Sequence, residues 1–364
     1  MKTKQKLLTP LAVLSVALGA ISTIGSFYAR AADNPPASNL PASITKPLQA
    51  AEALRVSASL YDTVNLDWDD AARGRPVPAK LYLPKAERAD ATKPDATKRA
   101  PGKLPLVVFS HGIGGSRDGY SYLGSYFAAQ GFASLHVQHV GSDRQLWYGN
   151  PLTLVFRLST AAQESEALAR VKDVGFALDQ LLSSQYASRI DAGRITAAGH
   201  SYGANTTLLI AGAQVELQGK AVSLRDPRIS SAILISAPPF YGLGSPQKIL
   251  SGIAIPTLHI TATADDIEIP GYKSGVADRV ALYRATAEST QSRKMLAVFK
   301  EGSHSIFTDR MGTGGALLNP KVKVATRQLA VAFIKSVQAP QTAELEQWRE
   351  RHSDILATVE KAAM

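Results

Sequence analysis

The sequence predicts an α/β protein with a mostly parallel central sheet, helices on both of its faces, and an N-terminal antiparallel hairpin. Three observations carry this prediction. Short, continuous apolar runs recur along the chain, as strands buried on both faces require. Helix-length segments with apolar residues at helical spacing separate them, the rhythm of parallel strands joined by crossovers. One such run, Ile195 to Ala198, leads into Gly199-His200-Ser201-Tyr202-Gly203 and then a Leu/Ile-rich segment, a sharp passage from strand to helix.

The chain has 364 residues, 45% of them hydrophobic, enough to bury one large α/β core. Its first stretch stands apart. Met1 to Lys6 is basic, Leu7 to Ile24 is almost wholly apolar, and Ala29-Arg30-Ala31 has small residues at the spacing a signal peptidase cleaves. Residues 1–31 therefore read as a signal peptide, which places the protein in the periplasm or outside the cell. The apolar run approaches spanning length, so an uncleaved anchor is the alternative. With no cysteine in the sequence, a lipid anchor on a cleaved terminus and disulfides are both excluded. The formal charge is +10; without Lys2, Lys4, Lys6 and Arg30, 36 basic residues stand against 30 acidic ones, or +6. These cations are scattered and do not interleave with aromatics, so no nucleic-acid partner is expected.

Residues 32–50, rich in Pro, Ala, Ser and Asn, read as a disordered linker, with residues 51–364 as one domain. Arg55 to Leu66 alternates and Pro76 to Leu83 is extended, which predicts a hairpin turning near Arg73-Gly74-Arg75. Lys85 to Lys103 is charged and lacks an apolar face, as an exposed insertion would. Strands are expected at 106–109, 132–140, 195–198, 229–235, 257–260 and 294–299. Helices are expected at 120–130, 161–182, 276–287 and 322–337, with a charged terminal helix after Ala339.

A serine hydroxyl is a weak nucleophile near neutral pH and needs a base, itself oriented by a carboxylate. In chain order Ser, Asp, His, such groups sit on loops that follow strands. Ser201 stands at the glycine turn. Asp265 and Asp266 follow the 257–260 strand, and His304, alone among seven histidines in such a position, follows the next. Asp265 is favoured over Asp266 because the carboxylate nearer the strand end can face the histidine. Asp173 and Asp179, on the long helix, are expected to be exposed. The oxyanion of acyl transfer needs two aimed N–H groups. Tyr202 supplies one, as the residue after the nucleophile, and Ile113 the other, in Ser110-His111-Gly112-Ile113-Gly114-Gly115. A phosphate cradle is the competing reading of these glycines, but the Lys-Ser/Thr of a P-loop is missing. His111 and His200 are read as fixing loops by hydrogen bonds. No metal or organic cofactor is expected. His136 and His139, three apart in a strand, point to opposite faces, and one of them is a candidate for the pocket rim.

Phe109 to Arg117, Tyr120 to Leu123, Gly131-Phe132 to His139 and Gly199 to Gly203 together resemble the α/β-hydrolase superfamily. Within it the chain resembles the platelet-activating-factor acetylhydrolase-like and dienelactone-hydrolase-related bacterial serine hydrolases, over roughly residues 77–337. The resemblance implies Ser201 as nucleophile, Asp265 as acid, His304 as base, and the Ile113 and Tyr202 amides as oxyanion hole. Members include phospholipid-type acetylhydrolases, short-chain esterases and polyester-cleaving enzymes. Dienelactone hydrolases proper use a cysteine nucleophile, which this chain lacks. The expectation is an exported serine ester hydrolase acting on a small-molecule, lipid or polymer ester, without stable membrane insertion once its signal is removed. A peptidase or amidase with the same machinery, or a non-catalytic binding protein on the same fold, are the alternatives. Residues 141–160 form an apolar segment after a strand. Trp147, Tyr148 and Phe156 are its candidate substrate contacts if it covers the site; the alternative is that it packs on the core.

Overall fold

Adjacent residues within the apolar runs point to opposite sides of one sheet. Leu106 and Val108 join one core with Ala232 and Leu234, whereas Val107 and Phe109 join a second with Ile233 and Ile235. This period of two is what a strand covered on both faces produces. The computed structural model describes residues 42–85, 102–217, 220–239, 246–269, 272–286, 293–310, 312–339 and 343–361. The proposed signal peptide and most of the 85–103 insertion lie outside them.

Helix α1 (Ala42–Leu54) is followed by strands β1 (Tyr61–Asp70), β2 (Arg75–Pro84) and β3 (Leu104–Ser110). Next come α2 (Ser121–Ala129), β4 (Ala133–Val137), α3 (Leu154–Ala161), α4 (Glu164–Leu182), β5 (Ile190–His200) and α5 (Tyr202–Ala211). A small hairpin, β6 (Gln214–Leu217) with β7 (Lys220–Ser223), precedes β8 (Ile229–Ile235), α6 (Pro246–Leu250) and β9 (Thr257–Ala264). A second hairpin, β10 (Ile267–Ile269) with β11 (Tyr272–Ser274), leads to α7 (Val276–Ala285) and β12 (Lys294–Ser303). The described chain closes with α8 (Gly315–Gln338), α9 (Glu344–Arg351) and β13 (Leu356–Lys361).

Nine strands form the main sheet in the order β1-β2-β4-β3-β5-β8-β9-β12-β13. The six from β4 to β12 are parallel, and β1, β2 and β13 run antiparallel at the edges. The β1–β2 turn falls on Gly74, whose φ of 56° is open to a residue without Cβ. Helices α4 and α5 cover one face with Val174, Leu178, Leu181, Leu208 and Leu209. Helices α2 and α8 cover the other with Leu123, Phe127, Val322, Leu329 and Phe333.

Three departures from the sequence reading have physical reasons. Residues 42–50 are not a linker but the first turns of α1, which packs on α8. Arg327 of α8 donates to the Ala53 and Leu54 carbonyls, both at 2.6 Å, and so satisfies groups the helix end leaves open. Helix α8 starts at Gly315, ahead of Pro320, because proline's fixed φ suits a helix and only one backbone bond is forfeited near its start. After α9 the chain adds β13 to the free edge of β12, a pairing partner that a charged terminal segment does not advertise.

Candidate active site

Ser201 stands between β5 and α5 with φ 55° and ψ −123°, a region that a side chain makes costly. Its flanks explain why it can. A Cβ on Gly199 would collide with the Gly203 carbonyl, and one on Gly203 with the Ser110 carbonyl. With hydrogen in both places, α5 starts against the end of β3, and the Ser201 hydroxyl is carried out at the carboxyl end of the sheet. The Ser201 amide donates to the Ile235 carbonyl at 2.9 Å, which pins the turn to β8.

The ends of β9 and β12 bring the other two groups to the same place. His304 Nδ1 donates to Asp265 Oδ1 at 2.7 Å, and the Ser201 hydroxyl donates to His304 Nε2 at 2.8 Å. That pair of bonds fixes the neutral Nδ1–H tautomer. Asp265 is buried, and its second oxygen accepts from Thr261 Oγ1 at 2.6 Å. Burial opposes its ionisation, but the hydrogen bond from His304 and the Arg279 charge outweigh burial and hold the carboxyl at about 2. The Arg279 Nε lies 3.6 Å from Asp265 Oδ2. Asp266 is exposed.

The glycine loop after β3 lies directly on this turn. A Cβ on Gly112 would stand 3.3 Å from Ser201 Cβ and from the His200 carbonyl. Among the described residues, the amides of Ile113 and Tyr202 have no hydrogen-bond acceptor, whereas Gly114 donates to Ser142 O at 2.8 Å and Gly115 to Gly112 O at 3.0 Å. Both unpaired amides directly follow, in the chain, residues that meet at this turn, Gly112 and Ser201. The Gly112 amide donates to Tyr120 Oη at 3.3 Å, and that hydroxyl donates to His200 Nδ1 at 2.8 Å. Such an arrangement can generate an alkoxide beside paired donors, the requirement for nucleophilic attack on an acyl carbon.

The family model of platelet-activating factor acetylhydrolase, isoform II, matches residues 81–148. That span runs from β2 through the glycine loop to Tyr148, on a nine-stranded, mostly parallel sheet. The chain is a serine ester hydrolase with an α/β-hydrolase fold. No curated protein matches it.

The candidate aromatics of residues 141–160 do not pack on the core. Trp147, Tyr148 and Phe156 are 49, 65 and 72% exposed, and only Trp147 is anchored, its Nε1 donating to the Gly114 carbonyl at 2.8 Å. His136 and His139 are both buried, so neither lines a rim. His111 Nδ1 donates to the Gly112 carbonyl at 2.7 Å, and its Nε2 accepts from the His139 amide at 3.1 Å. Among the described residues, no three His, Asp or Glu side chains converge as a metal site would need. No helix of those residues is long and apolar enough to cross a membrane.

Asp173 was expected at the surface and is instead wholly buried, while Asp179 is exposed. Asp173 accepts from Arg73 Nη1 at 2.9 Å, Arg75 Nε at 2.9 Å and His139 Nδ1 at 3.0 Å. Burial opposes its charge, and hydrogen bonds from His139 and Arg75 still lower its pKa. Arg170, on the same helix and fully buried, was also missed. The signal lay in the helix period. The apolar stripe through Leu181, Leu178, Ala177 and Val174, continued one turn at a time toward the N-terminus, meets Asp173, Arg170 and Glu166.

Proposed function

We propose that the protein is an exported carboxylesterase in which Ser201, His304 and Asp265 form a catalytic triad, with the amides of Ile113 and Tyr202 as its oxyanion hole. The observation that carries this reading is the unbroken hydrogen-bond line from Ser201 Oγ through His304 to Asp265, at 2.8 and 2.7 Å. Ser201 Oγ attacks the ester carbonyl while His304 Nε2 takes its proton, and the carbonyl electrons move to an oxygen facing the two amides. Collapse of that intermediate expels the alcohol, which leaves with the proton from His304. Water then repeats the sequence on the acyl-enzyme, releasing the acid and free Ser201. Asp265 stays ionised throughout and holds the imidazole in the tautomer that accepts a proton at Nε2.

Removing a member of such a unit costs on the order of 10⁴ to 10⁶ in turnover. Ser201→Ala is therefore expected to lose hydrolysis of p-nitrophenyl acetate and labelling by a fluorophosphonate; retention of most of the activity would overturn the assignment. Comparing ester with anilide substrates of one acyl group separates an esterase from an amidase.

Trp147, Tyr148 and Phe156 are inferred to contact the acyl part of the substrate, supported by their exposure and by the bond that ties Trp147 to the glycine loop. Export is supported by the basic, apolar and small-residue order of residues 1–31. N-terminal sequencing of protein recovered outside the cytoplasm should begin just after Ala31. Recovery only in the cytoplasm with Met1 in place would defeat that part.

A further inference from the structure

Behind the glycine loop lies one buried cation that the mechanism above does not use. Arg170 has no exposed surface, yet its guanidinium reaches four residues in three parts of the fold. Its Nη2 donates to the His111 carbonyl, its Nη1 to Ser142 Oγ at 2.7 Å, and its Nε to Thr206 Oγ1 of α5 at 2.9 Å. Its central carbon sits 4.5 Å from the centre of the Tyr202 ring.

Each contact leads to the space beside Ser201. The His111 carbonyl belongs to the peptide preceding Gly112, so holding it sets the course of the chain into the Ile113 amide. Ser142 is the residue whose own carbonyl receives the Gly114 amide at 2.8 Å, on the far side of Ile113. The Tyr202 ring belongs to the residue whose amide is the other donor, and Thr206 lies one turn further along that helix. Among the described residues Arg170 makes no direct ion pair. Glu166 is connected to it only through Ser142, which donates to Glu166 Oε1 at 2.8 Å. A buried guanidinium without a touching carboxylate is costly to keep. Glu166 and Asp173 act on it only at a distance, and in a dry region the field that is left acts strongly.

We propose that Arg170 is the positioning residue of the oxyanion hole, aligning the Ile113 and Tyr202 amides together and favouring negative charge between them. The proposal rests on the ester-hydrolysis reading above and deepens it. Lysine is not an adequate replacement, because a single ammonium cannot span the three acceptors that the planar fork spans.

The test uses Arg170→Lys and Arg170→Gln in the full-length protein, each checked for folding by its thermal melt. Loss of one oxyanion donor costs about 10² to 10³ in kcat, so misaligning two should cost about 10- to 100-fold in the lysine variant and more in the glutamine variant. KM for p-nitrophenyl acetate should stay within about threefold. A boronic acid that becomes a tetrahedral anion on Ser201 should lose affinity by the same factor as kcat, since only it resembles the charged intermediate. A merely structural arginine would not produce that parallel loss. A folded lysine variant with kcat and boronate affinity within twofold of the parent, or with KM raised and kcat intact, overturns the proposal. If neither Arg170 variant folds, Ser142→Ala decides. A parallel loss of about three- to tenfold in kcat and boronate affinity supports the proposal, and parent-like values overturn it. Ser201→Ala run alongside separates the two claims, because turnover surviving there would instead defeat the triad reading.

Discussion

The ring of His200 donates from Nε2 to the backbone carbonyl of His304 at 3.0 Å. The residue before the proposed nucleophile is thereby tied to the residue carrying the proposed base. Since the same ring accepts from Tyr120 at Nδ1, it must be neutral, and burial followed by the nearby His304 presses its pKa down to about 3.

His139 and His259, also driven mainly by burial, are held at about 3, and His136 at about 4. In an unfolded chain each titrates near 6.5. Between those limits the unfolded state binds more protons, so stability rises with pH. These four contributions are complete above about pH 6.5 and are lost as pH falls toward 3 to 4, each at up to about 1.4 kcal/mol per pH unit. Urea midpoints measured at pH 8, 6.5 and 5 should be similar for the first pair and clearly lower at the third. A midpoint unchanged at pH 5 would show that these rings are not kept neutral.

Ser201 holds a positive φ that glycine accepts freely, a strain of about 1 to 3 kcal/mol that glycine's greater unfolded-state freedom offsets by about 0.5 to 1 kcal/mol. Ser201→Gly should therefore be inactive yet more stable than Ser201→Ala by roughly 1 kcal/mol. Equal urea midpoints for the two variants would mean that the turn is not strained by its side chain.

Asp265→Asn should keep the fold's outline and lose about 10⁴ in kcat, because an amide can favour the wrong imidazole tautomer. Asp266→Asn, on an exposed neighbour, should retain activity within twofold. Comparable losses at both positions would remove the assignment of the carboxylate. The readout is turnover of p-nitrophenyl acetate by both variants.

Gly114 has φ 72°, and a Cβ there would run into the Trp147 indole. Gly114→Ala should displace that ring and lower kcat about tenfold through the adjoining Ile113 amide. Trp147→Ala added to it should recover part of the loss on acetate esters while weakening long-chain esters. Strictly additive effects of the two changes would show that the residues are not coupled.

Much of the framework could be read from residues alone because it obeys local rules. The β3 run and the glycines around Ser201 are short-range signals, and Asp265 and His304 fall just where parallel strands end. What escaped reading depends on distant partners. Asp173 looks like an ordinary helix carboxylate until Arg73 and Arg75, about a hundred positions earlier, are folded against it. Arg170 is marked only by interrupting an apolar stripe. The first turns of α1 interleave Ser, Thr, Lys and Pro with their apolar residues, and the far end of the helix is closed by Arg327, distant along the chain. The exposed aromatics of the 141–160 segment carry the same pattern whether they cover a site or pack inward, so periodicity alone does not separate the two.

The last strand, β13, lies along β12, whose far end delivers His304. A chain shortened before Leu356 would leave the backbone of β12 bare along that margin, an open template for another molecule of the same kind. The closing residues thus act as a guard rail for the histidine-bearing strand, and a tag or trim placed there would alter how the protein keeps to itself as well as how it is handled.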